Sequence, residues 1–195
     1  MTRIVAGTAG GRALKVPPKG TRPTSERVRE AIFSRLDHYD VLEDAQVLDL
    51  FAGSGALGLE AVSRGARGAV LVEAHRAAAQ ICQSNVTILG FENVAVVQEK
   101  AENYVTRAQP RPWDVVFLDP PYDFSDESLT AILANLEATM HESGVVVVER
   151  SSRSPKPTYP ASWRLITEKN YGETTVFYYE PDLPDPHTGS QPVID

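Results

Sequence analysis

Apolar and polar positions change rhythm twice along the chain. At the start, RIVAG (3–7) and GRALKV (11–16) are short runs separated by glycines and predict a small hairpin. VPPKGTRP reads as a loop. From about Thr24, Val28, Ala31, Ile32 and Leu36 fall on one face of a helix. From residue 46, short apolar runs alternate with helical periodicity. Strands are predicted at QVLDL (46–50), AVLVE (69–73), VAVVQ (94–98), WDVVFLD (113–119) and GVVVVER (144–150). Helices are predicted at ALGLEAVSR (56–64), 76–89, 102–107 and SLTAILANLEATM (128–140). Largely apolar strands interleaved with helices imply a parallel sheet covered on both faces.

The rhythm breaks again in RLITEKNYGETTVFYYE (164–180), two β-rich runs around Tyr171-Gly172 that predict a hairpin added to one sheet edge. PDLPDPHTGSQPVID (181–195) has four prolines and no basic residue, the composition of a disordered tail. The expected organisation is an N-terminal extension over 1–40, one α/β domain over 41–180 and the tail over 181–195.

Composition narrows the function classes. The single cysteine, Cys82, excludes an internal disulfide, and four scattered histidines (His38, His75, His141, His187) lack metal-ligand spacing. No apolar run approaches a membrane span, and MTRIVAGTAG lacks a signal-peptide core. A cytoplasmic monomer with no metal and no membrane association is the expectation. The net charge of −7 argues against a nucleic-acid partner until its distribution is read. Residues 1–36 hold eight basic side chains against Glu26 and Glu30, leaving a basic head on an acidic body. A phosphate backbone could read that split.

The candidate chemistry begins in VLDLFAGSGALG (47–58). Gly53, Gly55 and Gly58 form a literal G-x-G-x-x-G, and Glu73 follows Gly53 by 20 residues. That pattern is shared by dinucleotide-binding folds. Asp49, however, ends the first strand just ahead of the glycines, where it would repel a pyrophosphate. It would suit a ligand with an ammonium and a sulfonium, such as S-adenosylmethionine. Glu73 can accept ribose hydroxyls in either case. The fourth strand ends in Asp119-Pro120-Pro121-Tyr122, which should face the same crevice at the strand carboxyl ends. An exocyclic amino nitrogen conjugated with a base is a poor nucleophile. It improves when Asp119 and the Pro120 carbonyl accept its N–H bonds and align it. Pro121 stiffens the turn, and Tyr122 can stack on a flipped-out base. Trp113 and Trp163 are expected to anchor strand starts. Tyr178 and Tyr179 point to opposite faces of the last strand, so at most one can approach the crevice.

These motifs closely resemble the RsmD family, bacterial methyltransferases of small-subunit ribosomal RNA that act on guanine N2. The resemblance runs from Arg3 to about Tyr179. It is carried by RIVAG, the spaced GR-x-L, RPTSERVREAIF, VLDLFAGSGALGLEAVSRGA, the acidic end of AVLVEA, FLDPPY and KNYGET. The resemblance implies a Rossmann-like, seven-stranded class I methyltransferase sheet with a small N-terminal hairpin and helix, the terminal hairpin supplying the antiparallel strand. It implies S-adenosylmethionine as cofactor, held by Asp49, Phe51, Gly53, Gly55, Glu73, Ala74 and Ala101. Asp119 to Tyr122 would hold the target guanine (of the guanine-966 type) of 16S rRNA or the small ribosomal subunit. Arg12, Arg22 and Arg27 would meet RNA phosphates. Two positions depart from the family pattern. Lys100 stands where an acid usually approaches the adenine, leaving Glu99, Glu102 or the backbone to replace it, and Gly10 replaces a lysine between the N-terminal glycines.

With only about 40 residues outside the catalytic sheet, several base pairs cannot be read directly. A base presented by folded RNA is the better match. The nearest competing reading is an adenine-N6 DNA methyltransferase, followed by a glutamine-N5 protein methyltransferase. An NAD-dependent oxidoreductase and a non-enzymatic RNA-binding module are the readings from other classes.

Overall fold

A computed structural model describes residues 1–18, 24–107 and 112–184. Arg22 and residues 185–195 of the expected tail lie outside these described residues. The apolar runs become strands β3 (Gln46–Asp49), β4 (Gly68–Glu73), β5 (Val94–Gln98), β6 (Trp113–Leu118) and β7 (Met140–Ser151). The terminal runs become β8 (Trp163–Tyr171) and β9 (Thr174–Pro181). They form one seven-stranded sheet in the order β5-β4-β3-β6-β7-β9-β8. β9 alone runs opposite to the other six strands, as expected of the terminal hairpin. β9 extends through Pro181, and the Asp182 N–H donates to the Ser162 carbonyl at 2.7 Å, so regular structure continues past the expected start of the tail. Trp113 and Trp163 open β6 and β8 and are both buried, as predicted.

Alternation along each strand divides the core into two clusters. Val47, Val115, Phe117, Val145 and Val147 face one side of the sheet, and Leu48, Val116, Leu118, Val146 and Val148 face the other. The first side is covered by α1 (Glu26–His38) and by α3 (Arg76–Leu89), through residues such as Ile32, Phe33 and Val86. The second is covered by α4 (Ala101–Tyr104) and α5 (Asp126–Leu136). Strand order reverses between β3 and β6, which opens a crevice at their carboxyl ends.

The N-terminal hairpin is shorter than expected, with β1 (Thr2–Arg3) pairing β2 (Ala13–Leu14). Its attachment to the body explains the apolar run of α2 (Ala56–Ser63), in which every residue from Leu57 to Ser63 is buried. A helix buried on its outer side needs partners for its polar groups. Glu60 supplies them by accepting from the Val5 N–H at 2.8 Å, the Ala6 N–H at 3.0 Å and Arg64 Nε at 2.9 Å. Arg29, buried on α1, lies 3.9 Å from the same carboxylate. Ser63 Oγ accepts from the Ala9 N–H at 2.9 Å and donates to the Ala6 carbonyl at 2.6 Å. The N-terminal segment is therefore a third layer on α2, sharing the core with the domain. Glu60→Ala would strand a buried cation and two backbone N–H groups. We expect it to cost about 3–5 kcal/mol in urea unfolding.

Candidate active site

A cleft of about 630 Å³ opens at the carboxyl ends of the strands, where the order reverses. A second cavity of about 680 Å³ lies near Asp44, Asp114 and Glu180, away from the glycine loop and the DPPY turn. Among the described residues no group of three or more His, Cys, Asp or Glu is arranged to hold a metal ion. No helix of the described residues is long and apolar enough to cross a membrane.

One wall of the cleft is the loop between β3 and α2. Gly53 and Gly55 both adopt positive φ, +56° and +88°, where a side chain would be strained. Nothing lies within 4 Å of a Cβ built on Gly53, so its face is open for a ligand to approach. Gly58 serves packing: its Cβ would fall 2.2 Å from Leu71 Cδ2 and close to Asp49. Gly58→Ala should cost about 1–3 kcal/mol, read as a lowered urea midpoint, because Leu71 is fully buried and cannot yield freely. Behind the loop, Asn85 of α3 donates to the carbonyls of Ser54 (2.8 Å) and Lys15 (2.9 Å) and accepts from the Lys15 N–H (2.8 Å). This fully buried amide ties the glycine loop to the N-terminal segment. Nothing in its sequence neighbourhood distinguishes it from a surface asparagine.

Glu73 ends β4, and its two oxygens accept from the Gly53 N–H at 2.9 Å and the His75 N–H at 2.8 Å. Those bonds hold its carboxylate on the cleft wall beside Ala74. Asp49 sits deeper, 1% exposed and behind the glycine loop. Its Oδ2 accepts from the Gly58 N–H at 3.1 Å, and the Phe51 N–H also points to the carboxylate. Burial pushes its carboxyl up to about 7, opposed by the Gly58 and Phe51 N–H groups and reinforced by the charges of Asp119 and Glu73. Phe51 lines the cleft and meets Phe124 edge-on at 5.1 Å. Ala101 and Glu102, at the start of α4, also line it, as does Lys100. Glu99 is drawn away to Arg107 at 2.6 Å, which leaves Glu102 and the backbone as the acidic replacement considered for Lys100.

The opposite wall is Asp119-Pro120-Pro121-Tyr122, directly after β6. Tyr122 is 57% exposed, a large aromatic held open to solvent at the cleft mouth. Asp119 Oδ2 accepts from Thr24 Oγ1 at 2.7 Å, and Glu149 Oε2 of β7 lies 3.0 Å from the same hydroxyl. Burial raises the Asp119 carboxyl to about 6, against the lowering effect of the Thr24 hydrogen bond. The loop after the motif is held by Arg150, which donates to the Phe124 carbonyl at 3.2 Å and Asp126 at 2.8 Å. Tyr171 and Thr174 of the terminal hairpin reach the cleft, whereas Tyr178 and Tyr179 do not line it.

The structure thus gathers Phe51, Gly53, Glu73, Ala74, Ala101 and the whole DPPY turn around one space, whereas Asp49 and Gly55 do not line it. Thr24, Glu149, Phe124 and Tyr171 join them without having been singled out in the sequence. The basic residues fare differently. Arg27 is exposed on α1. Arg12 is turned onto α3, where it donates to the carbonyls of Ile88 and Leu89 and so caps that helix. Its guanidinium rests on the protein's own backbone, while the residue as a whole stays exposed.

A family model described as "Conserved hypothetical protein 95" matches residues 2–180. The chain belongs to this family, the RsmD family of its motifs. The ribosomal RNA small subunit methyltransferase D of Escherichia coli K12 is 40% identical over 179 residues, covering 91% of this chain and 89% of that protein. The protein of the same name from Haemophilus influenzae is 33% identical over 184 residues, covering 91% and 93%. Among solved structures, Escherichia coli yhhF, named there as a candidate methyltransferase, matches with a TM-score of 0.82 at 39% identity. That match covers 92% of this chain and 97% of yhhF. The seven-stranded sheet with one reversed strand is the class I methyltransferase architecture that the family's motifs led us to expect.

Proposed function

We propose that this protein is an S-adenosylmethionine-dependent methyltransferase of small-subunit ribosomal RNA, acting on the N2 amino group of a guanine in 16S rRNA. The observation that carries the reading is the convergence of the DPPY turn and the glycine loop on one cleft at the strand carboxyl ends. The names of the family relatives support an rRNA substrate.

The site suits the cofactor chemically. Glu73 on the cleft wall and Asp49 behind the glycine loop offer a negative field to an ammonium and a sulfonium and an acceptor to ribose hydroxyls, and they disfavour a pyrophosphate. The described neighbours of the buried Asp49 carboxylate are backbone N–H groups and other acids, which fits a site completed by a cationic ligand. Glu73 would hold the ribose, with Phe51, Ala74 and Ala101 around the base. When bound, the cofactor supplies an electrophilic methyl group on a sulfonium. The protein's own part is to prepare the acceptor nitrogen. Asp119 and the Pro120 carbonyl accept its N–H bonds and orient its lone pair, and the Asp119 carboxylate receives the proton released as the N–C bond forms and the methyl leaves sulfur. Tyr122 stacks on the flipped base, at the energetic level of a base–aromatic contact of about 1–3 kcal/mol. Arg27, exposed on α1, and Arg22 contact RNA phosphates. A cytoplasmic monomer is part of the same reading.

The test is transfer from labelled S-adenosylmethionine to small ribosomal subunits lacking the modification, to their deproteinised rRNA and to genomic DNA, run in parallel. Label in one guanine N2 of the rRNA is expected. Label in DNA alone would favour the adenine-N6 reading and overturn the substrate assignment.

A further inference from the structure

We propose that Thr24 is a positioning residue of this site: its hydroxyl donates to Asp119 Oδ2, fixes the plane of that carboxylate and keeps Oδ1 turned to the acceptor nitrogen. The proposal rests on the reading above, in which Asp119 serves that nitrogen, and deepens it.

Thr24 reaches Asp119 through the packing of α1. Phe117 of β6 points to the α1 side of the sheet, and Phe33 of α1 meets its ring at 5.7 Å. Asp119 lies two residues beyond Phe117, so strand alternation carries its side chain to that same side. At its start α1 is fixed by the Ser25 cap, whose Oγ accepts from the Val28 N–H at 3.2 Å. Thr24 directly precedes the cap, and Thr24, Ser25 and Val28 all line the cleft, so this end of α1 faces it. Thr24 Oγ1 donates to Asp119 Oδ2 at 2.7 Å, while Glu149 Oε2 of β7 lies farther from the hydroxyl, at 3.0 Å. A hydroxyl has one proton to donate, and the shorter contact marks Asp119 as its acceptor.

Threonine suits this task. Two heavy atoms on its Cβ restrict χ1, so the hydroxyl has a preferred direction, and the cap holds the backbone that carries it. A carboxylate gripped at one oxygen cannot turn freely about its Cβ–Cγ bond. With Oδ2 engaged, Oδ1 is the oxygen left to the cleft, which Asp119 lines beside Pro120. Alignment of this kind acts on the rate more than on binding. The bond also opposes protonation. Burial raises the Asp119 carboxyl to about 6, and the Thr24 hydrogen bond lowers it. The other charged groups facing it are acids: Glu149 on β7, and Asp49 at the end of β3, on which the Asp119 charge acts. Arg150, next along β7, is turned instead to the Phe124 carbonyl and Asp126. Thr24 is thus the described contact that holds the carboxyl in its ionised form.

The test pairs single-turnover methyl transfer to rRNA with a carboxyl-carbon NMR titration of the whole protein, the Asp119 resonance being assigned by its loss in Asp119→Asn. Thr24→Val keeps the side-chain shape and removes the donor. It should raise the Asp119 midpoint by about one pH unit and move the rise of rate with pH upward by the same amount. Above that rise its rate constant should stay about tenfold below wild type, with KM for rRNA and S-adenosylmethionine affinity changed by less than about twofold. Thr24→Ser restores a hydroxyl, so it should return the midpoint and bring the rate to within about threefold of wild type. Ser25→Ala loosens the same stretch of backbone without touching the donor. It should lower Tm and leave the midpoint where it is.

An unchanged Asp119 midpoint in Thr24→Val overturns the proposal. So does an equal shift in Ser25→Ala, which would make the effect one of local folding. A shifted midpoint in Thr24→Val together with no labelling of rRNA by the wild type would leave the contact standing and sink the functional reading, and the role in transfer with it.

Discussion

Asp119→Asn should lower methyl transfer to rRNA by about a hundredfold to a thousandfold, with S-adenosylmethionine affinity changed by less than about twofold. The substitution keeps shape and an acceptor oxygen but removes the charge that stabilises a nitrogen turning cationic. Cofactor binding is spared because Glu73 and Asp49 are held by the Gly53, His75 and Gly58 N–H groups and not through Asp119. The pH profile supplies a second signature. Burial raises the Asp119 carboxyl to about 6, so the proton-bearing form persists to higher pH than in an exposed aspartate. The protonated form cannot accept from the amino group with full charge. Activity of the wild type should therefore rise with pH through about 6 and level off above it. The residual activity of Asp119→Asn should lack that rise. Single-turnover rates between pH 5 and 8 would check both statements, and a near-normal rate in Asp119→Asn would remove the DPPY aspartate from the chemistry.

Asp49→Asn should weaken S-adenosylmethionine binding by about tenfold to a hundredfold, the value of one hydrogen bond to a charged partner. The wild-type carboxyl is pushed up to about 7 by burial, so its sign of linkage is opposite to that of a salt-bridged aspartate. Between the unfolded value near 4 and about 7, the folded chain holds a proton that the unfolded chain has lost. Stability from this group is accordingly full at low pH and declines as pH rises through that window. A cationic ligand reverses the situation by favouring the ionised form. The rise in Tm produced by S-adenosylmethionine should thus grow between pH 6 and pH 8 in the wild type and stay flat in Asp49→Asn. An equal shift at both pH values in the wild type would mean that Asp49 does not sense the cofactor's charge.

Much of this protein follows from sequence because its elements are set by local rules. Apolar strands of four to six residues alternating with helices leave few options beyond a parallel sheet, and α3 and β5 occupy 76–89 and 94–98 as their patterns predict. The glycine loop, Glu73 and DPPY were legible for a related reason. A strand that ends in a parallel sheet delivers its next residues to the same edge as its neighbours, so motifs far apart in the chain share one crevice. Charge counting, by contrast, says nothing of how Arg12 is held. Its guanidinium has unsatisfied helix carbonyls of α3 within reach, and pairing with them required α3 to pack beside the N-terminal hairpin.

The same distinction separates the parts of the site. Lateral register decided that Asp119 should face Glu149, and the docking of α1 decided that Thr24 should bridge them. Neither contact has a local signature, because the residues lie 30, 95 and 125 positions apart and each looks ordinary in its own segment. Asn85 and Glu60 are alike in this. Their partners are backbone groups of the N-terminal segment, and a backbone N–H carries no side-chain identity for a sequence pattern to record. By itself the sequence determined the elements, the sheet edge on which chemistry would occur, and the family. Tertiary packing alone decided which acids share a proton donor, which amide holds the glycine loop, and which arginine is already held, since each of these depends on polar groups finding partners only when separate layers close.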